Sequence, residues 1–297
     1  MTQAERLTRA AELILEGRLV AFPTETVYGL GANALDARAV QRIFTAKGRP
    51  RTSPLIVHVD SVAMARDLAL AWPESAELLA MRYWPGPLTL VVPKQPRIPD
   101  IVTAGLPTVG LRMPAHPLAL ALISEAGVPI AAPSANRFTE LSPTAAADVR
   151  ETLADFVLDG GPAKVGIEST VLSLAARPVL LRPGVIPLPE IEALIGPVEI
   201  AAAAAGEAHP APGMHPRHYR PRTRLLLIAP GEAPPAGRGA WLRIGQEMPA
   251  DPAAYAAALY ARLHRLDRED WDWIAVEPPP PTAAWAGVLD RLRRAAE

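Results

Sequence analysis

The chain of 297 residues has no cysteine, no excess of either charge and no long hydrophobic run. Without cysteine it has no disulfide, no thiol nucleophile and no thiolate metal ligand. Its 30 basic and 31 acidic residues give a net charge of −1, which argues against a surface that coats nucleic acid but leaves room for a local basic pocket. No apolar run reaches the roughly 18 residues that span a bilayer, and the acidic, amphipathic start is unlike a signal peptide. We therefore expect a soluble, cytoplasmic protein with no membrane partner.

Hydrophobic periodicity predicts a first domain in which strands alternate with helices. Strands are predicted at 18–22, 55–59, 88–92, 108–112, 128–132, 155–158, 169–174 and 179–182. Helices are predicted at 3–16, 61–71, 75–83, 117–126 and 143–153, with another that is capped by Asp36 and ends near Lys47. This alternation is typical of an α/β fold. Short steps between the strands after residue 155 favour an open, twisted, mixed sheet covered by helices.

A change of composition near residue 201 predicts a second domain. Residues 201–205 are a run of alanine, and residues 209–222 hold four prolines without apolar periodicity, which indicates a semi-rigid linker. The pattern then resumes with strands at 224–229, 240–244 and 273–277 and helices at 252–266 and 283–295. We predict three parts: a first domain over 1–208, a proline-rich linker over 209–222, and a small Rossmann-like α/β domain over 223–297.

The segment 22–31, with the sequence FPTETVYGLG, carries more chemistry than a connecting loop requires. Two hydroxyls, a carboxylate and a phenol follow a predicted buried strand. Further along, Lys47, Arg49 and Arg51 place three cations on a short segment that Pro50 stiffens. Cations at a helix end also stabilise its last carbonyls, but three together favour phosphate binding. Since there is no Gly-x-x-x-x-Gly-Lys-Ser/Thr motif, a nucleotide would not be held by a P-loop.

Two residues at the ends of predicted strands each allow two interpretations. His58 shares a strand face with Ile56, and a strand histidine is either structural or a hydrogen-bond partner of a substrate. Arg112 either makes a surface ion pair or grips a carboxylate with both nitrogens. Ligands of open α/β sheets collect at the carboxyl ends of strands, so the position of both residues favours the ligand interpretation.

Hydroxyl and amide side chains form a third group. Ser134 and Asn136 follow the predicted strand 128–132, where they either shape a turn or reach a ligand. Ser142 is suited to cap the predicted helix 143–153. No set of His, Asp and Glu has metal-ligand spacing, and no Ser-His-Asp triad order is evident. We therefore expect chemistry by positioning and electrostatics rather than by a covalent intermediate.

A series of motifs runs through the chain in one order. In the first domain they are residues 23–31, 47–50, 54–58, 110–114, 133–136, 168–171 and 181–184. Beyond it they are residues 212–214, 218–219, 221, 276–279 and 290–293. Together they cover almost the whole chain, and the chain resembles the YrdC-like threonylcarbamoyl-AMP synthases in their long, two-domain form. The resemblance implies the YrdC-like fold for the first domain.

The resemblance also implies a reaction. L-Threonine takes up carbon dioxide from bicarbonate as a carbamate, and a carbamate oxygen attacks the α-phosphorus of ATP and expels pyrophosphate. The product, L-threonylcarbamoyl-AMP, passes to the machinery that makes N6-threonylcarbamoyladenosine at position 37 of tRNA. Mg²⁺ is expected to accompany ATP, and no protein side chain is identified as a metal ligand. Because both substrates are anionic, a cationic pocket would lower their mutual repulsion.

The family's functional residues carry over to matching positions of this sequence. Lys47 and Arg49 are the implied catalytic cations. The residues implied to hold threonine are Thr24, Thr26, His58, Arg112, Ala132, Ser134 and Ser169. The residues implied to hold ATP are Lys47, Arg49, Ser53, Thr108, Ser134, Asn136, Ser142, Arg182 and Tyr219. Tyr219 lies in the predicted linker, so the linker is expected to close over the nucleotide as a lid.

Two other classes of protein remain as alternatives. A concave basic surface would suit an RNA-binding module, but the net charge and the absence of an interleaved basic and aromatic stripe argue against it; a weak contact with RNA is kept as a partner prediction. A carbamoyl-transfer domain of related fold is normally embedded with zinc-finger segments, which need cysteines that this chain lacks. Release of pyrophosphate from ATP that depends on threonine and bicarbonate would separate the three.

Overall fold

The structure, a computed structural model, describes residues 1–201 and 218–296. The first part of the chain contains strands β1 (Val20–Phe22), β2 (Gly29–Asn33), β3 (Ile56–His58), β4 (Leu88–Pro93), β5 (Thr108–Arg112), β6 (Ile130–Ala131), β7 (Phe156–Val157), β8 (Thr170–Ser173), β9 (Val179–Arg182) and β10 (Glu199–Ile200). Its helices are α1 (Gln3–Leu15), α2 (Ala37–Lys47), α3 (Val62–Leu68), α4 (Glu74–Tyr83), α5 (Asp100–Thr103), α6 (Pro117–Ala126) and α7 (Leu188–Ile195). The second part contains β11 (Arg224–Leu227), β12 (Gly239–Leu242), α8 (Pro252–Leu266), β13 (Trp273–Val276) and α9 (Ala286–Ala296).

The first ten strands form one sheet in the order β10-β9-β8-β4-β5-β3-β6-β2-β1-β7. Four neighbouring pairs are parallel, namely β9 with β10, β4 with β8, β3 with β5, and β1 with β7. The other five pairs are antiparallel. The predicted mixed sheet is therefore confirmed. Its register sets His58 opposite Arg112, and Arg182 opposite Val171, so polar residues that are distant in sequence reach one region of the sheet.

Local capping explains how the cationic segment turns inward. The carboxylate of Asp36 accepts a hydrogen bond from the amide of Arg38, as predicted for the start of α2. The helix ends at Gly48, whose φ of 61° lies in the left-handed region that glycine adopts without strain. The amide of Arg49 then donates to the carbonyl of Phe44. This tight end leaves Lys47 and Arg49 buried and Arg51 exposed.

The second domain is a three-stranded parallel sheet, in the order β11-β13-β12, with helices α8 and α9. It packs on the first domain through a shared hydrophobic cluster in which Val27, Leu141 and Ile167 meet α8 and α9. The contact is close: a Cβ on Gly287 of α9 would lie 2.5 Å from the carbonyl oxygen of Gly184. The predicted small α/β unit is confirmed, whereas the predicted boundary at residue 208 falls within 202–217, outside the described residues.

The segment 22–31, which was interpreted as a loop, contains the start of a strand. Residues Gly29–Asn33 form β2, and their glycines are needed because Phe22 and Ile130 crowd the backbone. A Cβ on Gly31 would lie 2.8 Å from side-chain atoms of both residues. Glycine in a strand often marks such close approach, and the sequence alone read it as a turn. The short elements α5, α7 and β10 were also not predicted.

The helix predicted at 143–153 is wrong. The segment contains only a 3₁₀ turn, Ala146–Asp148. The carbonyls that should accept from the next helical turn instead accept from elsewhere: Pro143 from the amide of Tyr28, and Thr144 from the amide of Ala163, both at 2.8 Å. Tertiary hydrogen bonds thus replace the helix.

No helix in the described ranges is long and apolar enough to cross a membrane.

Candidate active site

A cleft opens on one face of the large sheet, beside the second domain. Its walls come from the segment before β2, the ends of β3, β5 and β9, the loop after β6, and the residue before β8. The empty space, including the open mouth, is about 520 Å³, within the range of small-molecule sites. The lining residues are Thr24, Thr26, Val27, Gly29, Arg49, Ile56, His58, Arg112, Ala132, Pro133, Ser134, Glu168, Ser169, Arg182, His218 and Tyr219.

A buried ion pair with unused hydrogen-bonding capacity stands at this cleft. Nη2 of Arg112 lies 2.7 Å from Oε1 of Glu25, and the two side chains are 4% and 7% exposed. Within the described part of the chain, neither carboxylate oxygen of Glu25 nor Nη2 of Arg112 makes a hydrogen bond of good geometry. Nε of Arg112 donates to the carbonyl of Gly86 and Nη2 faces Glu25, so the donors open to an anionic ligand are those on Nη1, which have no partner among the described residues. The surface-ion-pair interpretation of Arg112 is wrong, because both partners are buried.

His58 is the neutral polar group of the same corner. Burial, together with the neighbouring charge of Arg112, lowers the pKa of His58 to about 3. Its ring packs edge-on against Phe22, with centroids 5.9 Å apart, and its Nδ1 has no partner among residues 1–201 and 218–296. An uncharged imidazole with one free nitrogen can exchange a hydrogen bond with a ligand without adding charge.

Two threonine hydroxyls in the segment before β2 have different tasks. Oγ1 of Thr24 donates to the carbonyl of Val27 at 2.6 Å and lies 2.8 Å from Oγ1 of Thr26. Because the hydroxyl hydrogen of Thr24 is used in the bond to Val27, Thr26 must be the donor in the contact between the two hydroxyls. Thr24 also accepts from the amides of Thr26 and Val27, so it shapes the turn. The oxygen of Thr26 retains lone pairs that can accept from a ligand.

Two buried guanidinium groups give the cleft its positive charge. Nη2 of Arg49 donates to Oγ of Ser53 at 2.7 Å and to the carbonyl of Pro54 at 3.1 Å. Nε and Nη2 of Arg182 donate to the carbonyl of Ser169 at 3.1 and 2.9 Å. Burial lowers the pKa of Arg182 and lowers that of Arg49 to about 10; a guanidinium in a protein keeps its charge near neutral pH. Fixed cations of this kind suit phosphate oxygens.

Lys47 serves the loop after β6 rather than the cleft itself. Its Nζ donates to the carbonyls of Ser134 and Asn136. The amide nitrogen of Asn136 donates to the carbonyl of Glu140 at 2.8 Å, which tightens the same loop. Burial, reinforced by the charge of Arg49, holds the pKa of Lys47 well below its usual range. The structure therefore places Lys47 and Asn136 behind Ser134, which lines the cleft.

Glu168 links the cleft to the second domain. Its Oε1 accepts from Oγ of Ser142, and its Oε2 accepts from Nε of Arg291 at 2.8 Å and from the hydroxyl of Tyr260 at 3.2 Å. Burial opposes ionisation, but Arg291 and Arg182 outweigh it and keep the pKa of Glu168 below its usual value. Ser142 was expected as a helix cap; that prediction is wrong, because its hydroxyl serves this carboxylate instead.

The end of the predicted linker forms one wall of the cleft. His218 and Tyr219 are buried, with ring centroids 4.2 Å apart, and the ring of His218 stands edge-on to Phe138. The guanidinium carbon of Arg291 lies 5.4 Å from the centre of the Tyr219 ring. Residues 209–217 of the linker lie outside the described residues, so only 218–222 can be placed; of these, Tyr219 reaches the cleft as predicted.

The structure brings most predicted site residues together. Those that line the cleft are Thr24, Thr26, Arg49, His58, Arg112, Ala132, Ser134, Ser169, Arg182 and Tyr219. Those that stand outside its lining are Lys47, Ser53, Thr108, Asn136 and Ser142. Thr108 instead lines a small, mostly apolar cavity with Leu55, Val91 and Val171. The two cavities share a wall, because Thr89 of the small one lies 2.8 Å, hydroxyl to hydroxyl, from Ser169.

Sequence reasoning assigned no role to several residues that build the site. These are Glu25, Glu168, His218, Tyr260 and Arg291. Four of them lie within the motifs that carry the family resemblance, which could have marked them as functional: Glu25, Glu168, His218 and Arg291. Their roles depend on contacts between distant segments, such as Arg291 with Glu168, and periodicity carries no information on such pairs. Tyr260 belongs to an amphipathic helix and gave no signal beyond its apolar face.

A cleft with fixed guanidinium groups beside neutral hydroxyls, on a mixed α/β sheet, defines a site for small anionic ligands.

A family model described as "Telomere recombination", for Sua5, YciO and YrdC proteins, matches residues 12–184. A model described as "Threonylcarbamoyl-AMP synthase, C-terminal domain" matches residues 186–297. The threonylcarbamoyl-AMP synthase of Pyrococcus abyssi is 44% identical over 96% of this chain and 92% of its own length. That of Bacillus subtilis is 43% identical over 99% and 94%.

A solved structure agrees with these matches. The crystal structure of Pyrococcus abyssi Sua5 complexed with L-threonine aligns with a TM-score of 0.92 and 41% identity, over 100% of this chain and 95% of that one. This chain therefore belongs to the YrdC-like threonylcarbamoyl-AMP synthase family, in its two-domain form. The predicted resemblance and fold are confirmed.

Proposed function

We propose that this protein is an L-threonylcarbamoyladenylate synthase, a nucleotidyltransferase that converts L-threonine, bicarbonate and ATP into L-threonylcarbamoyl-AMP and pyrophosphate. The observation that carries the proposal is the cleft itself, in which Nη1 of Arg112 has no partner among the described residues and the anchored cations Arg49 and Arg182 stand elsewhere in the wall. One corner suits a carboxylate, and the other cations suit phosphates. The named relatives, including the one solved with L-threonine, support the same reaction.

Threonine fits the corner of Arg112. Its carboxylate would pair with Nη1 of Arg112, whose guanidinium Glu25 balances and orients through Nη2. Its side-chain methyl would meet the apolar lining at Ile56 and Ala132. The oxygen of Thr26 and the free nitrogen of His58 remain for the amine and the hydroxyl. Neutral partners at these points leave the amine able to lose its proton and take up carbon dioxide.

ATP fits the other walls. Its phosphates would lie against Arg49 and Arg182, whose carbonyl anchors hold them in place before the substrate arrives. Tyr219 would cover the nucleotide from the linker side. In this arrangement the carbamate oxygen would face the α-phosphorus, and pyrophosphate would leave toward the cations.

Mg²⁺ is expected to enter with ATP. Hard cations need oxygen ligands, and the carboxylate of Glu168 that lines the cleft is already occupied by Ser142, Tyr260 and Arg291. In residues 1–201 and 218–296, no three His, Asp or Glu side chains come together as a metal cage. The ligands would therefore be phosphate oxygens and water, with hydroxyls of the cleft alongside. When bound, the ion would neutralise phosphate charge, and Arg49 and Arg182 would do the positioning.

The product is a mixed anhydride that water destroys, so it must be used quickly. We infer that it passes to the machinery that makes N6-threonylcarbamoyladenosine at position 37 of tRNA. A cleft closed by the segment at Tyr219 would keep water from the anhydride until release.

Omission of one substrate at a time tests the proposal. The purified protein should release pyrophosphate from Mg-ATP only when threonine and bicarbonate are both present, and mass spectrometry should find threonylcarbamoyl-AMP. Arg112→Gln should raise the threonine KM at least about tenfold, since a charged hydrogen bond contributes roughly 1.5–3 kcal/mol. Pyrophosphate release without threonine would overturn the proposal. Product formation from carbamoyl phosphate in place of ATP and bicarbonate would favour the carbamoyl-transfer alternative.

A further inference from the structure

The last helix of the second domain places one charged side chain behind the wall of the cleft. Arg291 of α9 has a side chain that is 0% exposed, although it lies on a helix with two further arginines. Arg293 is exposed, and Arg294 is partly buried and pairs with Asp290. A buried guanidinium is costly unless every donor is used, so the contacts of Arg291 identify what it organises.

Arg291 ties together three segments that surround the cleft. Its Nε and Nη2 donate to Oε2 and to the backbone carbonyl of Glu168 at 2.8 and 3.0 Å. Its Nη1 donates to the carbonyl of Pro183 at 2.7 Å, directly after the strand that ends in Arg182. Its guanidinium also lies against the ring of Tyr219, a geometry of cation–π contact. These three segments come from β8, β9 and the linker.

Two of these segments carry residues of the proposed ATP subsite, Arg182 and Tyr219, and the third holds Arg182 in place. Glu168 precedes Ser169, whose carbonyl holds Arg182. Pro183 follows Arg182 itself, and Tyr219 is a wall of the cleft. The corner that would hold the threonine carboxylate is built differently, from Glu25 and Arg112, and Arg291 makes no contact with either.

We propose that Arg291 is a positioning residue for the nucleotide: through this one side chain the second domain sets Arg182 and Tyr219 for ATP. Arg291 touches no substrate in this arrangement; it acts through Glu168, Pro183 and Tyr219. The inference rests on the proposed function, because it requires ATP to lie between Arg182 and Tyr219. It gives the second domain a task in catalysis beyond covering the hydrophobic surface at Val27 and Ile167.

The test compares Arg291→Met and Arg291→Lys with Arg293→Met. Methionine has a similar length but no charge. Lysine keeps the charge but lacks the planar guanidinium, whose donors reach three segments at once. Arg293 is the matched control, since it shares the helix and the charge but is exposed and makes no side-chain contact among the described residues. Each protein is assayed below its melting midpoint for the KM of ATP, for kcat and for the threonine dissociation constant by calorimetry.

The expected result is a rise of about tenfold in the ATP KM for Arg291→Met and a smaller rise for Arg291→Lys, with the threonine dissociation constant within about twofold of wild type. Arg293→Met should match wild type. If the Arg291→Met protein does not fold, the ATP KM of Arg291→Lys tests the inference. An unchanged ATP KM in a folded Arg291 variant would overturn the inference, as would equal losses of affinity for both substrates, which a purely structural role produces. If wild type itself releases no threonine-dependent pyrophosphate, the proposed function fails instead.

A double variant adds an independent check on the mechanism. Glu168→Gln combined with Arg291→Met removes both charges of this buried pair, and Asp290 keeps Arg294 as its partner. If Arg291 only neutralised Glu168, this pair of changes would restore the ATP KM to the wild-type value, and the inference would be wrong. If Arg291 positions the three segments, the double variant keeps a raised KM for ATP.

Discussion

Replacement of Arg49 by alanine should weaken ATP binding and spare threonine. Three of the five N–H donors of this guanidinium are used within the protein, on Ser53 and Pro54. The two donors on Nη1 have no partner among the described residues and are available to a phosphate. A hydrogen bond to a charged group contributes about 1.5–3 kcal/mol. Loss of one such bond should therefore raise the ATP dissociation constant about 10- to 150-fold.

Arg51 provides the matched control for this experiment. The sequence placed it in the same cationic segment, but its side chain is exposed and makes no hydrogen bond or ion pair with other described residues. Salt screens an exposed charge of this kind, so Arg51→Ala should change the dissociation constant less than about twofold. Calorimetry with Mg-ATP and, separately, with threonine measures both variants against wild type under one set of conditions.

Stability has to be separated from binding. Arg49→Ala leaves the hydroxyl of Ser53 and the carbonyl of Pro54 without their donor, and an unsatisfied buried group costs about 1–3 kcal/mol. Titrations therefore belong well below the melting midpoint, which circular dichroism gives. Equal effects of Arg49→Ala and Arg51→Ala would refute the assignment of one buried phosphate cation. A loss of threonine affinity as large as the loss for ATP would refute the division of the cleft.

Two further outcomes are expected. Serine should bind about fivefold to tenfold more weakly than threonine, because the methyl that it lacks would meet Ile56 and Ala132 and is worth about 1 kcal/mol; equal calorimetric affinities would contradict this. His58 should make the fold sensitive to acid: its folded pKa of about 3 lies below the 6.5 of the unfolded chain, so the unfolded state binds more protons between these values. Its contribution to stability is then complete above pH 6.5 and falls by up to about 1.4 kcal/mol per pH unit below it. His58→Gln should flatten this part of a denaturant-derived stability profile, and an unchanged slope would show that other groups cause it.

The sequence was most informative where local pattern and chemistry coincide. Alternation placed Ile56 and His58 on one face, and both line the cleft. Strand ends carried Arg112 and Arg182 to it, as expected for an α/β sheet. These predictions needed only the period of a strand and the position of its last residue, which are properties of neighbouring residues.

Prediction failed where distant contacts overrule local signals. Pro143 after Ser142 is typical of a helix start. The carbonyl of Pro143 instead accepts a hydrogen bond from the amide of Tyr28, and the hydroxyl of Ser142 donates to Glu168. The sequence likewise carried no sign that the ammonium of Lys47 donates to two carbonyls of the loop after β6, and its implied role toward substrate stays a prediction. In each case the deciding partner lies tens of residues away, and no pattern within one segment identifies it.

The same reasoning bears on why the second domain belongs to the site. Glu168 is buried and carries a negative charge that Arg182, already hydrogen-bonded to Ser169, only partly balances. Two of its other partners, Arg291 and Tyr260, come from α9 and α8, whereas Ser142 comes from the first domain. A first domain without these helices would have to hydrate this carboxylate or protonate it, and either change alters the charge next to Arg182. The electrostatics of the proposed nucleotide subsite are therefore set jointly by both domains, which explains how residues more than a hundred positions apart act on one ligand.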